Sequence, residues 1–246
     1  MTTQASRNAR AVRWWLLVLL AAAPLAVLAQ QAAPTQERSV KPGINNDWKG
    51  ENVKPLLDRL ETESREIYVQ RESLAGLVGP KVGAVVADVG AGSGFMTELF
   101  ARLVGSGGKV YAEDINPKLL EHIAQRAAGH GLKNVQTVLG TEKSVELPAN
   151  SVDIVFLCDT YHHFEYPKSM MNSIHRALRT GGQVVLVEFR RVDGASPQWM
   201  MEHVRAGQEV FTKELTEFGF ELINEHTVPW LKENYVLRFR KADARR

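Results

Sequence analysis

The stretch Ala84-Val85-Val86-Ala87-Asp88-Val89-Gly90-Ala91-Gly92-Ser93-Gly94-Phe95 decides the fold. Its first part is apolar without polar alternation, the pattern of a strand buried on both faces. One acid, Asp88, interrupts it. Three glycines at alternate positions then mark a turn. Backbone without Cβ takes unusual dihedrals there and lets a ligand approach closely. From Met96 to Val104 the spacing predicts a helix, with Phe95, Leu99 and Leu103 on one face. Strand, glycine turn and helix form a unit that places a ligand at the strand's carboxyl end.

Two nucleotide-binding patterns are excluded by the residues themselves. A dinucleotide fingerprint needs glycine at the sixth position of G-x-G-x-x-G. Counting from Gly90, that position is Phe95, whose ring obstructs the close helix approach that the third glycine permits. No Gly-Lys-Ser/Thr follows, so a P-loop is absent. The remaining pattern, Asp88-x-Gly90-x-Gly92-x-Gly94, resembles the first motif of the class I S-adenosylmethionine-dependent methyltransferases. The resemblance runs from about Glu72 to Lys241. It implies S-adenosylmethionine as cofactor, with the glycine turn against its methionine portion and Asp88 near its amino group. Read as a residue alone, Asp88 also fits a helix or turn cap. Either way, an ionised side chain ending a buried strand needs a partner.

The second strand, Gly108 to Ile115, ends in two acids. Asp114 lies where a carboxylate can accept ribose hydroxyls. Glu113 is expected to point to the opposite face. By family analogy Ile115 lies against the adenine ring. Asn116-Pro117 reads as an N-cap and first-turn proline. The helix that follows turns Leu119, Leu120, Ile123 and Ala127 inward.

After the third strand, Asn134 to Leu139, stands Gly140-Thr141-Glu142, where the family usually has Gly-Asp-Ala. The resemblance assigns contact with the adenine amino group to Thr141 or to Glu142. The fourth strand, Asp153 to Asp159, runs into Thr160-Tyr161-His162-His163-Phe164. Asp159 is counted among the cofactor contacts. The His-His segment resembles that of many small-molecule methyltransferases, including those of quinone biosynthesis. His162 or His163 is suited to take a proton from a nucleophile. A structural pair, one ring bonded and the other packing the loop, is the competing reading. No third metal ligand has suitable spacing, so no metal is expected.

A helix from Pro167 to Arg179 is expected to end at Gly181-Gly182, with the fifth strand over Gln183 to Phe189. Short helices are expected over Ser196 to Val204 and Gln208 to Phe218. Phe220 to Thr227 and Tyr235 to Arg240 read as a closing antiparallel hairpin. The fold expected is an α/β, Rossmann-like three-layer sandwich. Its seven-stranded sheet is mostly parallel and carries a carboxyl-terminal antiparallel hairpin.

Residues 1–29 differ from the rest. Arg7, Arg10 and Arg13 precede an apolar run from Trp14 to Ala29, with small residues at its end. This is the layout of a signal peptide or an amino-terminal anchor through residues 14–29. It predicts an exported, periplasmic or membrane-anchored protein, or a cytoplasmic one if translation starts later. Residues 30–50 read as a flexible linker. Residues 51–246 form the methyltransferase domain, opening with a helical leader in which Tyr68 and Arg71 are either lid contacts or, the favoured reading, ordinary surface residues of a packing helix. The chain has 246 residues, 44% hydrophobic content and a net charge of +2, enough for one sizeable domain and no basic patch for nucleic acid. The lone Cys158 excludes an internal disulfide. The expected activity is methyl transfer to a small or lipid-like molecule. The alternatives are a nucleotide-dependent oxidoreductase and a cofactor-binding module without catalysis.

Overall fold

Strand β1, Val85–Val89, lies third, beside the central strand, of a seven-stranded sheet in a computed structural model that describes residues 36–242. The signal-peptide or anchor reading of residues 1–29 lies outside the described residues. Among those described, no helix is long and apolar enough to cross a membrane.

The sheet runs in the order β3-β2-β1-β4-β5-β7-β6. β2 (Lys109–Asp114) and β4 (Val152–Cys158) flank β1 in parallel, with Val89 opposite Glu113 on one side and Leu157 on the other. The chain goes outward from β1 to β3 (Val135–Leu139), then returns to β4 and β5 (Leu178–Phe189). The reversal between β1 and β4 opens a crevice at their carboxyl ends, where such folds bind ligands. β7 (Asn234–Lys241) enters antiparallel between β5 and β6 (Phe220–His226), completing the expected hairpin.

Alternate strand residues feed two apolar layers. Ala87, Val155, Leu157 and Leu186 face α6 (Pro167–Ala177), α7 (Gln198–His203) and α8 (Gln208–Glu217). Val86, Val110, Phe156 and Val185 face α3 (Arg71–Val78) and α4 (Phe95–Val104). The α5 helix (Pro117–Gly129) starts as the sequence predicts, with Asn116 accepting the Lys118 N–H at 2.8 Å. The leader contributes two more short helices, α1 (Lys54–Leu60) and α2 (Glu66–Val69).

Three expectations are corrected. On α4, the buried face is Met96, Phe100 and Val104, while Leu103 is 41% exposed. Phe95 is buried and Leu99 packs against the same core, so only Leu103 leaves the expected line, because the helix packs on both the sheet and α3. β5 begins at Leu178, before the two glycines, because Leu178 pairs with Val152 across an irregular step in the ladder. Residues 37–49 are not a free tether. Glu37 accepts the Lys168 and Ser169 N–H groups at the start of α6, at 2.8 and 2.9 Å. Glu165 accepts Ser39 Oγ at 2.7 Å and the Gly43 N–H at 3.0 Å. A short 3-10 helix, Asn46–Lys49, follows. A polar composition reads as solvated only until distant partners satisfy its donors.

The leader is also fastened at its far end. The Glu66 carboxylate accepts the backbone N–H groups of Lys232, Glu233 and Asn234 at 2.6, 2.8 and 2.8 Å.

Candidate functional site

All three motif glycines have positive φ: 68° at Gly90, 57° at Gly92 and 79° at Gly94. The turn they form is held by the end of β2. Asp114 accepts the Gly92 N–H at 3.0 Å and the Asn116 N–H at 2.9 Å. Glu113 accepts the Gly90 N–H at 3.3 Å through one oxygen; its other oxygen, Oε1, is buried without a partner among the described residues. Burial raises the Asp114 carboxyl to about 6, against the pull of its backbone donors. Burial and the Asp114 charge raise Glu113 well above its ordinary range.

A cavity of about 540 Å³ opens beside this turn, within the range of roughly 300–1,000 Å³ usual for ligand pockets. Gly90, Gly92, Asp114, Ile115, Thr141, Glu142, Asp159, His162 and His163 all line it. Leu60 of the leader lies so close over the turn that a Cβ on Gly92 would meet its Cδ1 at 2.9 Å. The cavity still reaches both Gly90 and Gly92.

Two expected contacts are not in its wall. Asp88 is buried and accepts Thr97 Oγ1 at 2.6 Å. Burial raises its carboxyl to about 7, the Thr97 bond working against it. It therefore braces β1 against α4. Gly94 allows α4 to approach α5; a Cβ there would come 2.8 Å from Ile123 Cγ1. Of the two adenine-site candidates, Thr141 is exposed and Glu142 pairs with Lys49.

The end of β4 is built differently. Asp159 is held at φ 49°, an uncommon conformation for a residue with a side chain. Its carboxylate is claimed by its own chain: Arg65 donates at 2.6 Å to one oxygen and Asn234 at 2.6 Å to the other. A direct cofactor contact through Asp159 would have to share those oxygens. The turn Tyr161–His163 then presents the two histidines. His162 Nδ1 lies 2.8 Å from both oxygens of Glu188, which is fully buried on β5. His162 Nε2 and His163 Nδ1 are buried and have no partner among the described residues. Burial lowers His162 to about 4, His163 to about 2 and His203 to about 4, so all three rings are neutral at pH 7.

His203 was invisible to sequence reasoning. It lies at the end of α7, yet its ring centroid is 4.9 Å from that of His162 and 5.0 Å from that of His163. Of the two readings of Tyr68 and Arg71, the structure favours packing over lid contact. Tyr68 packs edge-on against Phe95 with Arg71 over its face, and neither lines the cavity. Trp48, Arg59, Leu60 and Arg65 do. No local pattern marks these residues, because each is placed by the path of the leader.

The fold has solved counterparts. A structure of an S-adenosylmethionine-dependent methyltransferase from Aquifex aeolicus superposes with a TM-score of 0.67 at 24% identity, covering 78% of this chain and all of that one. Residues 87–186 match the methyltransferase domain family. The ubiquinone/menaquinone biosynthesis C-methyltransferase of Ectopseudomonas mendocina is 30% identical over 181 residues, 62% of this chain and 71% of that protein. The chain belongs to the class I S-adenosylmethionine-dependent methyltransferases. The Hahella chejuensis quinone-biosynthesis enzyme is 32% identical to this methyltransferase over 114 residues. There the match spans 46% of each chain, so the methyltransferase covers about half of that relative's length.

S-adenosylmethionine is the cofactor of this family, and the residues fit it. Two glycines without side chains open the cavity at the β1 turn, and Asp114 and Ile115 form its wall. The turn itself is shaped for a close approach: a Cβ on Gly90 would collide with Thr160 Cγ2 and one on Gly92 would meet Leu60 Cδ1 at 2.9 Å.

Proposed function

We propose that this methyltransferase moves a methyl group to a small or lipid-like molecule that enters the cavity from the histidine side. The observation that carries the reading is the continuity of one cavity. Its wall runs from Gly90, Gly92 and Asp114 to an apolar and imidazole end formed by Phe164, Phe189, Trp199 and the three histidines. The cofactor supplies an electrophilic methyl on a positively charged sulfur. The protein's part is placement: Gly90 and Gly92 admit the cofactor, and Asp114 orients its ribose. The aromatic rings of Phe189 and Trp199, 5.4 Å apart and edge-on, bind apolar surface of the acceptor. Alignment of this kind contributes on the order of 7–11 kcal/mol to a two-substrate reaction. Leu60 from the leader and Trp48 from the 3-10 helix before it exclude water from above.

The continuity of that cavity also favours a single-step transfer over an oxidoreductase, since Phe95 stands where a dinucleotide would need glycine. The basic-then-apolar pattern of residues 1–29 supports an exported or membrane-anchored enzyme. Fusing residues 1–40 to a phosphatase that is active only outside the cytoplasm tests this; a silent reporter refutes export. The activity is tested with the full chain, S-adenosylmethionine carrying a tritiated methyl, and separate polar and lipid extracts. Label should appear in one small molecule. Absence of label from every fraction, with S-adenosylhomocysteine still binding, would leave a cofactor-binding module without transfer.

A further inference from the structure

The absence of a third metal ligand, expected from sequence spacing, does not survive folding. Ring nitrogens of His162, His163 and His203 all lie within 4.8 Å of one another. Tetrahedral zinc at its usual Zn–N distance of about 2.0–2.1 Å holds its ligands about 3.3 Å apart. Small rotations of three side chains close that difference. Two of the three donors are already marked. His162 Nε2 and His163 Nδ1 are buried, polar and without partners among the described residues. Buried polar atoms in native structures find partners as a rule, and a lone pair on imidazole accepts either a proton or a metal.

The surroundings support the second. Glu188 holds His162 Nδ1 with both oxygens at 2.8 Å. Its grip on Nδ1 leaves Nε2 as the ring nitrogen of His162 open to a further ligand. Metal-binding histidines nearly always have such an outer partner. Trp48 packs edge-on against His163 at 5.5 Å and Phe189 lies 5.8 Å from His162, which fixes the rings from outside. The charges nearby are of both signs. Lys41 donates to the His203 carbonyl at 2.7 Å, and Arg59 and Arg205 also face the cluster. Glu188 and Asp159 oppose them.

We propose that His162, His163 and His203 bind one divalent transition-metal ion, zinc by preference, at the acceptor end of the cavity. Three neutral imidazoles leave a fourth position open, the arrangement of catalytic rather than structural zinc sites. All three line the cavity, so the open position is available to an oxygen of a small molecule. The acceptor is then an oxygen-bearing compound, a phenol, enol or hydroxy acid, held by that oxygen. This last step rests on the methyl-transfer reading; metal binding itself does not.

The test is titration of the untagged full chain with zinc chloride, followed by cobalt substitution and visible absorption. The expected result is one ion per chain and the absorption of four-coordinate cobalt. His203→Ala should weaken zinc binding at least 100-fold, and Glu188→Gln by about 10–100-fold, the usual cost of losing an outer partner. S-adenosylhomocysteine should bind all three proteins equally, which shows that the variants are folded. Should His203→Ala be poorly folded, His203→Gln replaces it with the same expectation. No zinc bound by the wild-type chain, or zinc bound equally by the His203 variant, overturns the site. Zinc binding without S-adenosylhomocysteine binding would sink the methyl-transfer reading and leave the metal site standing.

Discussion

β1 and β4 lie side by side, and their carboxyl ends face the same cavity, yet the two ends are built by opposite means. At β1, the turn, its glycines and the acids that hold it come from residues 88–116, a near-continuous run. At β4, Asp159 is held by Arg65 and Asn234, His162 by Glu188, and the third histidine comes from residue 203. The first end reads its geometry from neighbours in sequence. The second is assembled from five separate places, and its chemistry exists only in the folded chain. A cofactor shared by a large family suits the former, and an acceptor particular to one enzyme suits the latter.

The comparison can be broken most sharply at Arg65. Arg65→Ala leaves the Asp159 carboxylate buried with one partner. We expect a loss of about 3 kcal/mol, the scale for stripping one member from a buried ion pair, read as a lower urea midpoint. An unchanged midpoint would mean that the β4 end does not depend on the leader.

Asp114→Ala tests the other end. Loss of a charged hydrogen bond should weaken S-adenosylhomocysteine binding by about 2 kcal/mol, roughly 30-fold, in calorimetric titration. Unaltered binding would move the ribose contact to Glu113. Gly94→Ala should cost about 1–2 kcal/mol through its left-handed backbone alone, before the contact with Ile123. A fall in Tm of about 4 °C is expected, with ligand affinity preserved because Gly94 is outside the cavity wall. Weakened affinity in well-folded protein would return Gly94 to the binding turn.

The smallest effect belongs to Asp88. Burial raises its carboxyl from 3.8 to about 7, so the folded chain keeps a proton there that the unfolded chain has released. The associated stabilisation is full below pH about 4 and is lost as pH climbs through about 7. Asp88→Asn keeps an acceptor for Thr97 and removes this dependence. The difference between the Tm values of wild type and variant should shift by about 2–3 °C between pH 6.5 and pH 8, to the variant's benefit at pH 8. Parallel pH profiles would show that Asp88 is ionised in the folded chain.

Most of the fold was legible because its signals are local. The apolar strands, Asn116 with its cap, and the glycine turn declare themselves within a few residues. On α4 the last position of the stripe is not legible, since Leu103 and Met96 are equally apolar and only the position of α3 chooses between them. The Gly-Thr-Glu segment and Asp88 were assigned by resemblance, and the partners that claim Glu142 and Asp88 are side chains no motif contains. The linker reading failed for residues 37–49 for a related reason: Glu165 and the start of α6 supply its partners more than 100 positions away. His203 had no signal at all, one histidine on a six-residue helix.

The Glu66 clasp moors two remote stretches of chain to one point. Residue 66 and residues 232–234 meet although more than 160 positions separate them. The leader over the glycine turn is thus tied to the loop between β6 and β7, and loosening that loop would lift the roof with it.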